Sequence, residues 1–297
     1  MKQLVFYTLI FLTAFSCKQD KGGANSTTMP APGESPVMSI SLDEVWSTPS
    51  SLLVTPESVR FDEELGVYYI SCIGGVPPTE EDGDGYIAIL DQRGNIINEK
   101  WVDGLDAPKG MDIVGDFLYV TDINEFVIID RKQGVIVEKI PVENSVFLND
   151  VTAAPNGTVY FSDMSTNIIY AYEHDSVSIY LHSEQLGGVN GLYADHETMT
   201  CAASDGSVNT IDIATKKITK KAKGIMSGDG IEPWKGGFIV SNWNGEVWYI
   251  SSTWQETKVM DTKDQKINTA DITVNQKTGQ LLIPTFFDNR VVAFDIH

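Results

Sequence analysis

The chain contains 297 residues and carries a formal net charge of −20 at pH 7. A strongly negative protein repels nucleic acids and anionic lipids, so both classes of partner are disfavoured. Residues 38–297 are numerous enough for one large all-β domain or for two smaller domains.

The N-terminus has the pattern of a secretory signal. Met1-Lys2-Gln3 precedes an apolar run from Leu4 to Phe15, which is too short to span a bilayer because spanning takes roughly 20 residues. Cys17 follows the small residue Ser16, as in a lipobox. We predict that residues 1–17 are a lipoprotein signal peptide and that the protein is exported and lipid-anchored to the cell envelope, either periplasmic or at the cell surface. The alternative is an ordinary signal peptide with an incidental cysteine.

The next segment, residues 18–37, reads KQDKGGANSTTMPAPGESPV. Gly, Ser, Thr, Asn and Pro dominate it, and such a composition cannot bury a hydrophobic core. We expect a flexible tether that lets a lipid-anchored domain stand off the membrane.

A β-rich unit then recurs about every 40 residues. In the clearest copy, Leu148-Asn149-Asp150 opens the unit, and a Gly-containing turn leads into the strand Val159–Asp163. Six such units predict an all-β fold, a six-bladed β-propeller over residues 38–297. The sixth unit ends after three strands, so the segment Val45-Trp46-Ser47 is expected to supply the fourth and close the ring. The main alternative is a pair of open β-sandwiches.

The unit starts align one column of residues: Glu57, Lys109, Asn149, Asn190, Asp229 and Ala270. The first strand of each blade lines the central channel of a propeller, so these side chains should converge at its mouth. Two carboxylates and two amide oxygens would meet there, a set of hard ligands that suits Ca²⁺ best and also Mg²⁺ or Mn²⁺. We therefore predict a metal site at Glu57, Asn149, Asn190 and Asp229. The alternative is that these Asn and Asp residues only shape turns before strands.

Several short motifs resemble the senescence marker protein (regucalcin), gluconolactonase and luciferin-regenerating enzyme family. They are Pro56-Glu57, Leu148-Asn149-Asp150, Asn190-Gly191-Leu192 and Asp229-Gly230. The resemblance covers residues 45–297 and implies a six-bladed propeller with a small-molecule substrate. It also implies that Glu57, Asn190 and Asp229 hold the metal, that Asn149 contacts the metal or the substrate, and that Asp229 is the base or orients water.

Two departures from relatives of this family restrict the substrate. Sugar-lactone-hydrolysing members can carry an arginine where this chain has Phe147, which argues against a gluconolactone-like substrate. His174, His182 and His196 fall in predicted outer strands or turns, and they do not match the catalytic histidines of paraoxonases.

These features predict a metal-dependent hydrolase of lactones or esters. Asp229 would accept a proton from the attacking water, and Lys109 would bind an acidic substrate group or stabilise an oxyanion. For Lys109 the alternative is a solvated loop lysine. The competing function is a non-catalytic, metal-containing propeller that binds a ligand or serves as a scaffold, since fold does not imply function. We expect a monomer.

Two further segments bear on the channel. The insertion from Cys72 to Gly85 is acidic, lacks a full calcium-loop pattern, and is expected to form a solvated lid. Trp234, Trp243 and Trp248 cluster in the fifth unit, where they are expected to pack the blade, although one of them could line a ligand surface.

Overall fold

A computed structural model of the protein describes residues 40–297, which form twenty-four strands and three short 3₁₀ helices. The strands make six antiparallel sheets of four strands each, so the predicted six-bladed β-propeller is confirmed. The signal peptide, Cys17 and the tether at residues 18–37 lie outside the described residues. Within residues 40–297, no helix has the length and hydrophobicity to cross a bilayer.

The first strand of the described chain, β1 (Leu42–Ser47), belongs to the last blade. Blade one consists of β2 (Pro56–Asp62), β3 (Val67–Cys72), β4 (Gly85–Asp91) and β5 (Ile96–Leu105). Blade two consists of β6 (Pro108–Val114), β7 (Phe117–Asp122), β8 (Glu125–Asp130) and β9 (Val135–Pro141). Blade three consists of β10 (Leu148–Ala153), β11 (Val159–Asp163), β12 (Ile168–Glu173) and β13 (Ser176–His182).

Blade four consists of β14 (Val189–Ala194), β15 (Thr198–Ala203), β16 (Ser207–Asp212) and β17 (Ile218–Lys223). Blade five consists of β18 (Gly228–Trp234), β19 (Gly237–Asn242), β20 (Glu246–Ile250) and β21 (Glu256–Asp261). Blade six consists of β22 (Thr273–Asn275), β23 (Gln280–Pro284), β24 (Val291–Ile296) and β1. The 3₁₀ helices span Glu184–Leu186, Lys263–Gln265 and Phe286–Asp288.

In every blade a buried apolar residue lies two positions after the column identified in the sequence, within the innermost strand in blades one to five and just before it in blade six. These residues are Val59, Met111, Val151, Leu192, Ile231 and Ile272, and all are at most 4% exposed. Side chains alternate in direction along a strand, so the residues on either side of this apolar position point the other way. The repeat of the sequence thus places an apolar ring in the body of the propeller and polar residues along the channel.

The ring closes where blade six meets blade one. Strand β1 pairs antiparallel with β24, with Leu42 opposite Ile296 and Ser47 opposite Val292, as the sequence predicts. The innermost strands of the two blades are also joined, because the backbone N–H of Asp271 donates to the carbonyl of Glu57 at 2.9 Å. The first strand of the described chain thus completes the sheet of the last blade, and one backbone hydrogen bond joins that blade to the first.

Candidate metal centre and active site

A cavity of about 420 Å³ opens at one end of the channel. Five of the six column residues line it: Glu57, Lys109, Asn149, Asn190 and Asp229. The sixth, Ala270, is fully buried in an apolar cluster with Ile73 and Phe286. The propeller therefore brings the four predicted metal ligands and the predicted lysine to one cavity.

A β-bulge occurs where each of these five side chains leaves its strand. In β6, for example, Pro108 pairs with Asp122 and Met111 with Val120, so one extra residue is inserted between the two pairs. The same one-residue shift occurs in β2, β10, β14 and β18. The sequence predicted these residues just before the strands, but they lie within them, because the bulge interrupts the apolar alternation. A bulge bends the strand and redirects its side chain, which aims each polar group at the channel mouth.

Hydroxyl groups of the second strands hold these bulges. Ser162 Oγ accepts the backbone N–H of Asp150 at 3.0 Å and donates to the carbonyl of Asn190, in the next blade, at 2.8 Å. Ser241 accepts the N–H of Gly230 at 2.9 Å and likewise donates into the next blade. Thr121 donates to the carbonyl of Asn149. Each of these hydroxyls therefore contacts the next blade, and those of Ser162 and Ser241 also support the bulge of their own blade.

Two buried oxygen atoms in the cavity wall, Glu57 Oε2 and Asn190 Oδ1, have no hydrogen-bond partner among residues 40–297. The amide of Asn190 is oriented by its other end, since Nδ2 donates to Asp229 Oδ1 at 3.2 Å. A buried acceptor without a donor is costly, and an oxygen-binding cation would satisfy both atoms. The donor set therefore fits a hard divalent cation, which Glu57, Asn149, Asn190 and Asp229 would hold.

The same set contains fewer acidic groups than a carboxylate-rich metal site. Within residues 40–297, no three His, Cys, Asp or Glu side chains form a cluster able to hold a metal by themselves. The amide oxygens of Asn149 and Asn190 would therefore have to act as ligands beside the two carboxylates. Amide oxygens are regular ligands of Ca²⁺, which accepts six to eight oxygens with flexible geometry.

Electrostatics at the cavity also favour a cation. Burial raises the pKa of Glu57 well above its usual value, and the charges of Asp229 and Asp271 raise it further. The pKa of Asp229 is raised by burial and by Asp271, against the lowering effect of the Asn190 hydrogen bond. A bound cation would stabilise both carboxylates in their ionised form.

Lys109 is only 1% exposed, so a solvated loop lysine is excluded. Its Nζ donates to the carbonyl of Ala107 at 2.8 Å and lies 4.7 Å from the ring centre of Phe147. Burial lowers its pKa to about 8, although the charges of Glu57 and Asp122 act in the opposite direction. The ammonium group is thus held at the border between the polar and the apolar parts of the cavity.

A second polar layer lies one residue further along the innermost strands, and the sequence analysis did not identify it. Asp271 Oδ2 accepts the hydroxyl of Ser58 at 2.5 Å, and burial raises the pKa of Asp271 to about 6. Asp150 Oδ2 accepts the backbone N–H of Leu192 at 2.6 Å, which joins blades three and four. The signal available in the sequence was a second aligned column, one position after the first, that consists of three polar residues and three glycines: Ser58, Gly110, Asp150, Gly191, Gly230 and Asp271.

Apart from Ser204, Ser227 and Gly228, the remaining wall of the cavity is apolar. It is formed by Ile73, Pro78, Phe147, Met164, Trp243, Phe286 and Phe287. Pro78 belongs to the insertion after Cys72, so the predicted lid contributes to the wall. Of the three tryptophans in blade five, Trp243 lines the cavity, whereas Trp234 and Trp248 pack against hydrophobic clusters.

Comparison with known proteins finds no matching family model and no matching curated protein. Solved structures do match. A streptogramin B lyase has a TM-score of 0.64 at 11% identity, over 87% of this chain and 98% of its own. A catalytically inactive virginiamycin B lyase from Staphylococcus aureus, with quinupristin, has a TM-score of 0.61 at 13% identity, over 86% of this chain and 99% of its own.

A gluconolactonase from Xanthomonas campestris matches with a TM-score of 0.63 at 15% identity, over 84% of this chain and 88% of its own. At these identities the likenesses establish the fold alone. The chain is a six-bladed β-propeller, and its resemblance to the senescence marker protein, gluconolactonase and luciferin-regenerating enzyme family is supported at the level of that fold.

Proposed function

We propose that the protein is a metal-dependent hydrolase of lactones or esters, with its active site in the cavity at the channel mouth. The observation that carries this proposal is the convergence of Glu57, Asn149, Asn190 and Asp229 on one cavity, where two of their buried oxygens lack a partner in the part of the chain that the structure describes. A gluconolactonase and two lyases among the structural neighbours add support for an enzyme of this general kind.

The four ligands would hold a divalent cation, with Ca²⁺ favoured by their hard oxygen donors. When bound, such a cation supplies a positive charge that polarises a carbonyl oxygen and stabilises negative charge in the transition state. The side chain of Asn149 makes no hydrogen bond to another described residue. It would therefore be free to bind either the cation or the substrate carbonyl.

Asp229 is the proposed proton acceptor. The oxygen of a water molecule would form a bond to the carbonyl carbon while Asp229 takes one of its protons. The carbonyl carbon–oxygen bond of the ester or lactone then breaks, and the leaving oxygen receives the proton. A raised pKa makes the Asp229 carboxylate a stronger base once it is ionised.

Lys109 would donate a hydrogen bond to the developing oxyanion. Its position suits this role because its ammonium group lines the cavity and is shielded from solvent. The apolar wall opposite would exclude bulk water and so strengthen these electrostatic interactions.

The test is a panel of aryl esters, alkyl esters and lactones assayed with metal-stripped protein and again after calcium is restored. We expect calcium-dependent hydrolysis of at least one member. Calcium binding without turnover of any ester or lactone would instead support the competing function, a non-catalytic propeller that uses the metal to hold a ligand. Absence of any calcium binding would overturn the metal site itself.

A further inference from the structure

Three aromatic rings form a corner in the cavity wall. The ring of Trp243 meets those of Phe286 and Phe287 at centroid distances of 5.7 and 5.8 Å and interplanar angles of 72° and 79°. Phe286 and Phe287 are 4.8 Å apart at 89°. Three nearly perpendicular rings present both faces and edges to the space between them, and these are the surfaces that an aromatic guest packs against.

The backbone of this corner is strained at Phe286, which has a φ of 47°. Bulky side chains rarely adopt a positive φ, and such conformations persist where the surrounding structure imposes them, often at functional sites. A hydrogen bond holds the neighbouring turn in place, because Asn289 Oδ1 accepts the backbone N–H of Thr55 at 2.8 Å. The fold therefore maintains an unfavourable backbone conformation that keeps the Phe286 ring in the cavity wall.

Two of the three rings are partly exposed to solvent. Trp243 is 37% exposed and Phe287 is 55% exposed, although both line the same cavity. Clustered aromatic surface that is left open beside convergent polar groups is typical of a small-molecule site, in which the apolar wall binds one part of the ligand and the polar groups fix its orientation.

Charge selects against anionic ligands at this cavity. The protein has a net charge of −20, and the lid that contributes Pro78 carries Glu80, Glu81, Asp82 and Asp84. Among the described residues that line the cavity, Lys109 is the one cationic side chain, against the two carboxylates of Glu57 and Asp229. A negative field around the mouth lowers the local concentration of anions, so neutral molecules enter at lower cost.

We propose that the corner formed by Trp243, Phe286 and Phe287 binds the aromatic group of a neutral aryl ester or aryl-substituted lactone, and that it sets the specificity of the site. The choice of an ester or lactone rests on the proposed function, whereas the recognition of a neutral aromatic group does not. An aryl ester bound with its aromatic group in the corner would have its carbonyl group in the same cavity as Asp229 and Lys109.

The binding experiment uses acetophenone, a neutral aryl ketone that has no ester bond to cleave. Its affinity is measured by calorimetry for the full chain, for Trp243→Ala and for Phe287→Ala. Removal of one aromatic ring from the corner should weaken the binding of acetophenone about tenfold. The matched control is Phe117→Ala, because Phe117 is 37% exposed and lies at the start of β7, outside the cavity. This variant should bind like the unmodified chain.

Hydrolysis of phenyl acetate by the same proteins separates the two proposals. If both cavity variants bind acetophenone as tightly as the unmodified chain does, the aromatic corner is wrong, even when esters are hydrolysed. If the variants lose affinity but no protein hydrolyses any ester, the corner stands and the hydrolase function is wrong. If both hold, kcat/KM for phenyl acetate should fall in the cavity variants and remain unchanged in Phe117→Ala.

Discussion

Asn190 donates a hydrogen bond of 3.2 Å from Nδ2 to Oδ1 of Asp229, while its own amide oxygen is buried and has no partner within the described residues, 40–297. The two residues occupy equivalent positions in adjacent blades, on bulges of the innermost strands. The contact therefore fixes which end of the amide faces the cavity, and it is the end that a cation would bind.

Substitution of the two carboxylates should separate metal binding from chemistry. Asp229→Asn removes one charge and the proposed proton acceptor, so we expect weaker calcium binding and a loss of hydrolysis of about 10²–10⁴-fold even at saturating calcium. Glu57→Gln removes only a ligand charge, so saturating calcium should restore most of its activity. Calorimetry gives the affinities and steady-state assays the rates. If both variants regain the same hydrolytic activity at high calcium, Asp229 is not the proton acceptor.

Calcium affinity should increase with pH. Burial raises the pKa of Glu57 and of Asp229 above their ordinary values of 4.5 and 3.8, so the metal-free protein retains these protons to higher pH. A carboxyl group with a raised pKa in the folded state contributes stability at low pH, and this contribution is lost as the pH rises through the folded-state pKa. The Tm of metal-free protein should therefore decline above the ordinary carboxyl range.

Added calcium reverses this loss, because it binds the ionised carboxylates. Thermal unfolding with chelator and with calcium, from about pH 5 to about pH 8, measures both effects. The calcium-induced rise in Tm should grow with pH in the unmodified chain and should be much smaller in Asp229→Asn. A rise that is the same at every pH would contradict ionisation of these carboxyls on metal binding.

Much of this site was predictable because each blade repeats the same local sequence. Asn149 and Asn190 both precede a small or acidic residue and an apolar one, and this repeat is enough to align them by sequence. The bulges were not predictable, since they depend on hydroxyls such as that of Ser162 in another strand. Pairing across blades leaves no local pattern in the sequence.

The aromatic corner was predicted only in part, for a related reason. Trp243 follows β19 in blade five, whereas Phe286 and Phe287 follow β23 in blade six. Some forty residues separate them, and they occupy connections rather than the aligned column. The positive φ of Phe286 also has no signature in the sequence, since glycine is the residue expected at such a position.

Trp46 should contribute strongly to closure of the ring. It lies in β1 of blade six and packs against the hydrophobic cluster of blade one, where its ring is 6.4 Å from that of Tyr68. Trp46→Ala should destabilise the protein by about 2–3 kcal/mol, less than for a fully buried tryptophan. Val45→Ala, at a neighbouring residue that is 46% exposed, is the control and should change little. Chemical denaturation measures both, and deletion of residues 38–50 should be more damaging than either.

Membrane attachment should depend on Cys17, which lies outside the described residues. If this cysteine is lipidated, the intact mass of membrane-extracted protein should correspond to a chain that starts at Cys17 and carries lipid. Cys17→Ser should then release the protein from membranes. Full membrane partitioning of that variant would show that another feature anchors the chain.

Ser162 should position two of the proposed metal ligands at once. Its hydroxyl accepts the N–H of Asp150 beside Asn149 and donates to the carbonyl of Asn190. Ser162→Ala leaves a buried N–H without a partner, which should cost about 1–3 kcal/mol of stability. Because both ligands lose their support, calcium affinity should also fall by about tenfold or more.

Ser162→Thr is the matched control, since Thr121 occupies the equivalent position in blade two and makes the equivalent contact. It should restore both properties, and an alanine variant that is less stable yet binds calcium normally would limit Ser162 to a structural role.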